Sequence, residues 1–478
     1  MSGYSEGGAS LTKKVLRAWL PNHYSAKSDI DANLNTLRSR AADLVMNSAV
    51  GRAAVNTSTT GAISTGLKVF PRLKYKELGL TAEQARLWSR RAKQEFELWS
   101  EDINCDFYRR NTFSELQQIA YQSYLTDGDC FCLFRHRSGN PYSLKLQLIE
   151  AGRVSNPNST SQPTQYPEML GKTRGSRIVN GVEVNKDGRV EAIWISNKYP
   201  TETSVQPQLY WQRVKVYSDD VQNVLHICKD SRIEQFRGEP YLAPVIETLK
   251  QLDRYGNAEL ASAVLKSFFS LFFTQGAQTF NINQILGEEG EPCLNVEDYK
   301  VENGTILALP RGVDVKSIDN SKTQSTFDEF TQNFLVQVGS ALGLPTETLL
   351  KSYKSSYSAS RAALLQAADE FRIRRQSFIT DFCQPVYKYF LAEAIALGRL
   401  DAPGFFEDAL RQKLWTQADW FVEGMHMLDV TKEVQGAQMR IELGISSRQR
   451  EAAQLCGVDF MENLEQLREE QELLKNFS

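Results

Sequence analysis

Apolar residues recur at helical spacing in some stretches of this chain and alternate with polar ones in others, and the switch between the two periods divides it. Over residues 29–55 the positions Leu34, Leu37, Ala41, Leu44 and Val45 predict one helix, followed by a Thr/Ser/Gly-rich turn and a short strand, LKVF, before Pro71. Residues 81–99 and 112–124 read as two more helices, the first opening with Thr81 three residues before Gln84, the spacing of a capping box. Asp127-Gly128 then turns the chain into the alternating strand DCFCLFRHR. Over residues 143–229 short β patterns (LKLQLIE, GVEVN, RVEAIWIS, VKVYS, VLHIC) are separated by Asn, Gly, Pro and Asp, so the first half reads as α+β.

After Gly238-Glu239-Pro240 the period lengthens. Leu242, Ile246, Leu249, Leu252 and Tyr255, then Ala261, Val264, Leu265 and Phe268, predict a long helical region bent near Gly256. A segment punctuated by Gly, Glu and Asn, 277–320, carries strand-like TFNIN, TILALP and VDVKSI. A second helix is expected to start at Ser325, with Asp328 three residues on and Phe327, Phe330, Phe334, Leu335 and Val338 at apolar positions. Residues 358–397 form one helical pattern interrupted only at Pro385, and at 1.5 Å per residue it spans roughly 60 Å. Short helices follow, Gly444 ending one and Ser446, with Gln449, starting the next. Phe460, Leu464, Leu467, Gln471 and Leu474 repeat at 4-3-4-3 spacing, which suits a helix packing against a neighbour better than a coiled coil.

Composition sharpens this picture. A chain of 478 residues, 41% of them apolar, can bury more than one core and has room for about three domains. Lys and Arg number 55 against 58 Asp and Glu, a formal charge of -3, so no chain-wide basic field holds nucleic acid by counterion release, and tight DNA storage is not expected. The 7 cysteines form no CxxC pair, and their odd number points to free thiols in a reducing compartment. Cys130 and Cys132 alternate on one strand and read as small buried hydrophobes, not metal ligands. The first twenty residues carry no apolar signal core. The most apolar run, 263–273, is broken by Lys266 and is far shorter than the roughly 20 residues a membrane span needs. A cytosolic protein without a membrane partner is expected.

Local motifs supply little chemistry. In Gly171-Lys172-Thr173 the first glycine of a phosphate-binding loop falls on Tyr166, and no predicted strand precedes it. Asp127 and Asp129 around Gly128 suit a helix-to-strand turn better than a cation. His23, His136, His226 and His426 have no partner one helical turn away, so neither a metal site nor a cofactor is expected. Nucleophile elbows are absent, and the chain reads as a non-enzyme. Residues 441–455 have the layout of a helix-turn-helix with Arg448 and Arg450 early on its second helix, although an αα-hairpin that only packs explains them more simply.

Four strings, in this order, resemble the phage portal proteins of the lambda family over most of the chain: RAADLVMNSAVGRAAVNT (40–57) with TGLKV; FSELQQIAYQSYLTDGDCFCLF with LQLIEAGRV; VLHICKDSRIEQFRGEPYLAPVIETLKQLDRYGNAELASA; and ALGLPTETLL with SYSASRAALLQ and FCQPVY. The resemblance implies an α+β portal fold. Its parts are an N-terminal arm and wing (1–240), a first stem helix (241–276), a small β-containing clip (277–324), a second stem helix (325–345), a tunnel loop (346–357), a long wing helix (358–398) and a helical crown (399–478). It further implies a homo-oligomeric ring, usually a dodecamer, at one vertex of the virion capsid, assembled in the host cytoplasm. Such a ring docks the terminase large subunit and the head-completion or neck proteins, sits among major capsid and scaffold proteins, and passes double-stranded DNA without reading its sequence.

The tunnel loop carries over to Lys351, Ser352, Tyr353, Lys354, Ser355, Ser356 and Tyr357, although the glycine and asparagine common in that loop are missing here. Its hydroxyls and ammonium groups suit weak phosphate contacts, and a plain connector between packed helices is the alternative. Phe268, Phe269, Phe272 and Phe273 on the first stem helix, with Phe327, Phe330 and Phe334 on the second, are expected at subunit contacts. Glu288, Glu289 and Glu291 make the clip acidic and suit it to a basic surface on the motor or neck. Two other classes stay open: a nuclease or ATPase of the packaging machine, and a DNA-binding protein built on the hairpin near Ser446.

Overall fold

The computed structural model describes residues 8–138, 141–157, 168–172, 175–202, 206–219, 221–268, 272–275, 313–316, 321–422 and 430–477. They fall into two units, Met1–Pro244 with Leu342–Ser478, and Val245–Ala341.

In the first unit the N-terminal helical pattern is divided. A π turn at Lys27–Asp31 leads to helix Leu34–Asn47 and then to helix Ala49–Ala62. Ser48 stands between the helices in an extended conformation (φ -103°, ψ 125°), its hydroxyl oxygen accepting from the Gly51 N–H, so an N-cap lies inside what spacing reads as one helix. The Thr/Ser/Gly tract expected as a turn continues the second helix, and strand Leu67–Pro71 follows. Helices Ala82–Ser100 and Phe113–Asp127 both open with complete capping boxes, Thr81 with Gln84 and Thr112 with Glu115. Gly128, at φ 92°, then turns the chain into strand Asp129–His136.

That strand is the middle of an antiparallel sheet, between Val224–Cys228 and Leu144–Glu150. Cys130, Phe131 and Cys132 are all buried, so both faces are covered, and burial pushes the Cys130 thiol up to about 12. Strands Glu168–Leu170, Arg177–Val179, Val182–Val184, Val190–Ser196 and Trp211–Lys215 form a second antiparallel sheet in that order. Phe131, Leu133, Ile149 and Val224 of the first sheet share one core with Val154, Ile193 and Ile195. A strand therefore does precede Gly171, contrary to expectation. Its turn serves the sheet: the Lys172 N–H donates to Glu183 at 3.1 Å and the Lys172 ammonium lies 5.3 Å from the Trp194 ring centre. Thr173 lies outside the described residues.

The long C-terminal pattern becomes helix Tyr357–Phe378, a π turn at Ile379–Cys383, and helix Gln384–Ala396. Pro385 has no N–H to return to the preceding turn, and the ladder loosens there, the Gln384 N–H reaching back to the Ile379 carbonyl. Phe382, Tyr387 and Phe390 from this interrupted helix pack their rings with Phe96, Trp99 and Phe113. The span expected as a helical crown, from 399 on, is not helical throughout: strand Ala418–Val422 pairs antiparallel with Leu67–Pro71. Helices Val430–Glu442, Arg448–Cys456 and Phe460–Phe477 come after it. The cap of Arg448–Cys456 is Ser447, one residue beyond the expected Ser446, and Arg440 grips Glu451 at 2.6 Å across the hairpin.

In the second unit, helix Ile246–Phe268 runs unbroken through Gly256, and strand Phe272–Gln275 pairs antiparallel with Val313–Lys316. The first stem helix, expected to reach 276, thus ends short of it, since Phe272 and Phe273 belong to the strand. Helix Ser321–Leu342 begins four residues ahead of Ser325. The Tyr255 ring meets Phe327 at 5.3 Å and Phe330 at 4.7 Å. Phe269, Glu288, Glu289, Glu291, TFNIN and TILALP lie outside the described residues.

Candidate functional site

The expected DNA-facing segment is built from a fixed base outward. Gly343 leaves the preceding helix at φ 71°, where a Cβ would come within 3.1 Å of the Glu370 carboxyl carbon. Arg374 donates to Glu370 at 2.8 Å and to the Leu342 carbonyl at 3.1 Å, and its guanidinium lies 4.4 Å from the Tyr241 ring centre. The Tyr241 hydroxyl donates to the same Leu342 carbonyl at 2.7 Å. Helix Thr346–Leu350 follows with Thr348 and Leu349 buried, packing against Ala49–Ala62 and Tyr357–Phe378. Arg375 closes that contact by donating to the Gly61 and Ala62 carbonyls at 2.9 and 2.7 Å, satisfying the end of their helix.

From this base the segment turns outward. Lys351 ends the short helix in the left-handed region (φ 52°, ψ 35°), and the Ser352 N–H closes on the Glu347 carbonyl at 3.1 Å. The Ser355 hydroxyl donates to the Glu347 carboxylate, and the Ser356 hydroxyl oxygen accepts from the Ala359 N–H to cap the long helix. Residues 351–357 are therefore not one loop: Lys351 and Ser352 finish one helix, Ser356 and Tyr357 start the next, and Tyr353, Lys354 and Ser355 form the tip. Ser352 is half-buried and the other six are exposed. Tyr353 and Tyr357 are 48% and 55% exposed. The segment presents ammonium groups and hydroxyls on a mount capped at both ends.

An ionic node elsewhere in the first unit escaped the sequence reading. Asp129 accepts from Arg237 at 2.7 Å, from Arg38 at 2.7 Å and from the Gly238 N–H at 3.1 Å, with the His226 ring nitrogen at 3.1 Å. Arg237 is fully buried and also donates to the carbonyls of Ala151, Val154 and Asn180. Burial by itself raises the Asp129 carboxyl, but Arg237 and Arg38 outweigh it and hold the group well below the usual carboxylate range. Burial pushes Asp127 up to about 6. Gly128 and Gly238 press backbone to backbone, so a Cβ on either would overlap the other. Two residues past Gly238 and Glu239, the Tyr241 N–H reaches the Leu125 carbonyl at 2.9 Å, linking the node to the residue that holds Leu342. The only hints in sequence were the DGD turn and the QFRGEP string, far apart in the chain.

On the second unit, Phe330 is the exposed member of its set, at 41%, while Phe327 and Phe334 are half-buried. Leu260 at 64% and Val336 at 50% are exposed apolar positions that the phenylalanine pattern did not single out. Among the described residues, no group of three or more His, Cys, Asp or Glu could hold a metal ion, and no helix is long and apolar enough to cross a membrane.

The family model for phage portal protein, lambda family, matches residues 12–375. Portal protein B of Escherichia phage lambda is 26% identical over 487 aligned residues, covering 96% of this chain and 88% of that one. The portal protein of Escherichia phage N15 is 26% identical over 498, covering 98% and 90%. Among solved structures, a chain from the neck of a native gene transfer agent particle aligns over 87% of this chain and 92% of its own at 12% identity, with a TM-score of 0.43.

Proposed function

This chain belongs to the lambda family of phage portal proteins, and on that premise we propose that residues 351–357 line the DNA channel of a ring built from copies of it. It is a viral portal protein for DNA packaging, a structural component of the virion capsid. The observation that carries the channel assignment is the exposure of Lys351, Tyr353, Lys354 and Tyr357 on a segment whose base is buried and whose ends are capped. Repeated around a ring, such groups offer phosphates many weak, register-free contacts. A lysine ammonium is a movable point charge, whereas an arginine fork would grip a phosphate in one geometry. The formal charge of -3 suits a channel that must release what it passes.

The finer assignment is a dodecamer assembled in the host cytoplasm among major capsid and scaffold proteins, with double-stranded DNA passing through irrespective of sequence. The acidic Glu288, Glu289 and Glu291 would meet a basic surface on the terminase large subunit or on a head-completion or neck protein. The role is architectural, without catalysis or cofactor. Electron-microscope class averages of the purified protein test the reading directly. Rings with a central hole are expected, and a stable monomer at micromolar concentration by native mass measurement overturns it.

A further inference from the structure

The first unit holds a cleft of about 980 Å³ between helix Ala82–Ser100, the ribbon of Leu67–Pro71 with Ala418–Val422, and the helices that follow it. Its chemistry is mixed. Leu87 and Ile445 line it and are 58% and 68% exposed, so apolar surface stands open to water there. Lys93, Arg90 and Arg72 are paired, with Glu462 at 2.7 Å, Glu465 at 2.8 Å and Asp419 at 3.2 Å. Arg86 and Arg450 also line the cleft, both exposed, and neither has a carboxylate within ion-pair reach among the described residues. The cleft is therefore partly apolar, with two guanidiniums that make no ion pair there, Arg450 lying near the charge of Glu451 and Asp459 adding one carboxylate to the lining.

The complement of that surface stands on the same chain, out of the cleft. Helix Phe460–Phe477 contributes its first turns to the cleft through Phe460, Met461, Glu462 and Glu465. Beyond them, every residue from 466 to 475 is exposed, a stretch of about 15 Å. Leu467, Leu473 and Leu474 are 52%, 58% and 69% exposed, and among them lie Glu469, Glu470 and Glu472 with Arg468 and Lys475, an excess of one acidic charge. An isolated helical stretch of this length is marginal in water, and an amphipathic one gains its stability by covering its apolar face.

We propose that this acidic, leucine-bearing stretch of one copy seats in the Arg86–Arg450 cleft of the next copy. The inference rests on the ring reading above and names one contact that builds the ring. Cleft and plug are different surfaces of one subunit, so the contact is head-to-tail, the kind that closes into a ring when the rotation per subunit allows it. Charge complementarity selects the occupant: guanidiniums meet glutamates, and Leu87 and Ile445 meet leucines.

The test uses two charge-reversed full-length chains, Arg86→Glu with Arg450→Glu, and Glu470→Lys with Glu472→Lys. All four positions are exposed, and thermal unfolding of each variant should match the unmodified chain; a pair that unfolds early is replaced by the single changes Arg450→Glu and Glu472→Lys. Each variant alone places like charges across the contact and is expected to lower the assembled fraction about tenfold at fixed concentration, read by native mass measurement. Mixed in equal amounts, the first variant's acidic cleft accepts the second's basic helix, and the second's basic cleft accepts the first's acidic helix. Assembly should then recover as rings containing both chains. Normal assembly of either variant alone overturns the contact, and so does failure of the mixture to recover, which would place something other than a second copy in the cleft. Absence of rings from the unmodified chain would instead remove the function proposed above.

Discussion

Arg237 Nε lies 2.7 Å from Asp129 Oδ2, and neither side chain is exposed to solvent. The pair joins residues 108 apart in the chain. It is surrounded by a second guanidinium, a histidine and three backbone carbonyls, so the guanidinium's donors are used in several directions at once. Replacing Arg237 with Met should cost about 3–5 kcal/mol in urea unfolding, because Asp129 loses its closest counter-charge and the carbonyls lose their donors. Lys at the same position should rescue little, since a single ammonium cannot reproduce the fork. A loss under about 1 kcal/mol for Arg237→Met would show that Arg38 alone satisfies Asp129.

The two aspartates around Gly128 should make opposite contributions to stability against pH. Asp129 is held low, so its contribution is complete above the ordinary aspartate value near 4 and is lost only as pH falls through its depressed folded value. Asp127 is raised to about 6, so its contribution is complete below the ordinary value and is lost as pH rises through about 6. Asp381, raised to about 6 by burial, adds a second loss in the same window. The unmodified chain should therefore lose stability between about pH 4 and pH 7, and Asp127→Asn should flatten part of that decline. Denaturation midpoints measured across that range check it, and identical slopes for both proteins would refute the assignment to Asp127.

Leu260 and Val336 expose apolar surface on the two helices of the second unit, which a ring would bury between subunits. Leu260→Glu and Val336→Glu should each change the stability of the single chain by less than about 0.5 kcal/mol while reducing ring yield, because the charge is costly only once desolvated. Native mass measurement at micromolar concentration separates the two effects. Full ring yield from both variants would take these helices out of the interface.

Local chemistry announced much of this fold and long-range pairing announced little. The capping box at Thr81 and the turn at Gly128 were legible because the groups that satisfy them lie within four residues. The break at Ser48 was not, since the apolar spacing runs across it and the serine cap shows only in the backbone conformation. Gly61 is helical within its Thr/Ser/Gly tract, and the Phe371 ring lies where a side chain would stand, so glycine is needed there for a contact between residues far apart in the chain. Strand Ala418–Val422 was missed for the same reason: its partner, Leu67–Pro71, lies near the other end of the sequence. At the candidate site, resemblance located residues 351–357, but the division of that stretch between two capped helices depends on Glu347 and Ser356, whose roles appear only in three dimensions.

The same division sets the test of the channel assignment. Lys351 and Lys354 are exposed, and Lys351 contributes to the fold only through its left-handed backbone, a conformation strained for Ala as well as for Lys. Lys351→Ala with Lys354→Ala should thus leave ring assembly intact and change the retention or passage of packaged DNA, since each ring loses two positive charges per subunit facing the phosphates. Tyr353→Ala and Tyr357→Ala separate the plain connector from the channel. With both rings about half exposed, the changes should alter unfolding stability by under about 0.5 kcal/mol, whereas aromatic anchors of a packed connector would cost several-fold more. Assembled rings of the double lysine variant, tested for packaging yield and for DNA held after packaging stops, decide the matter: normal values for both would mean that this segment never meets DNA.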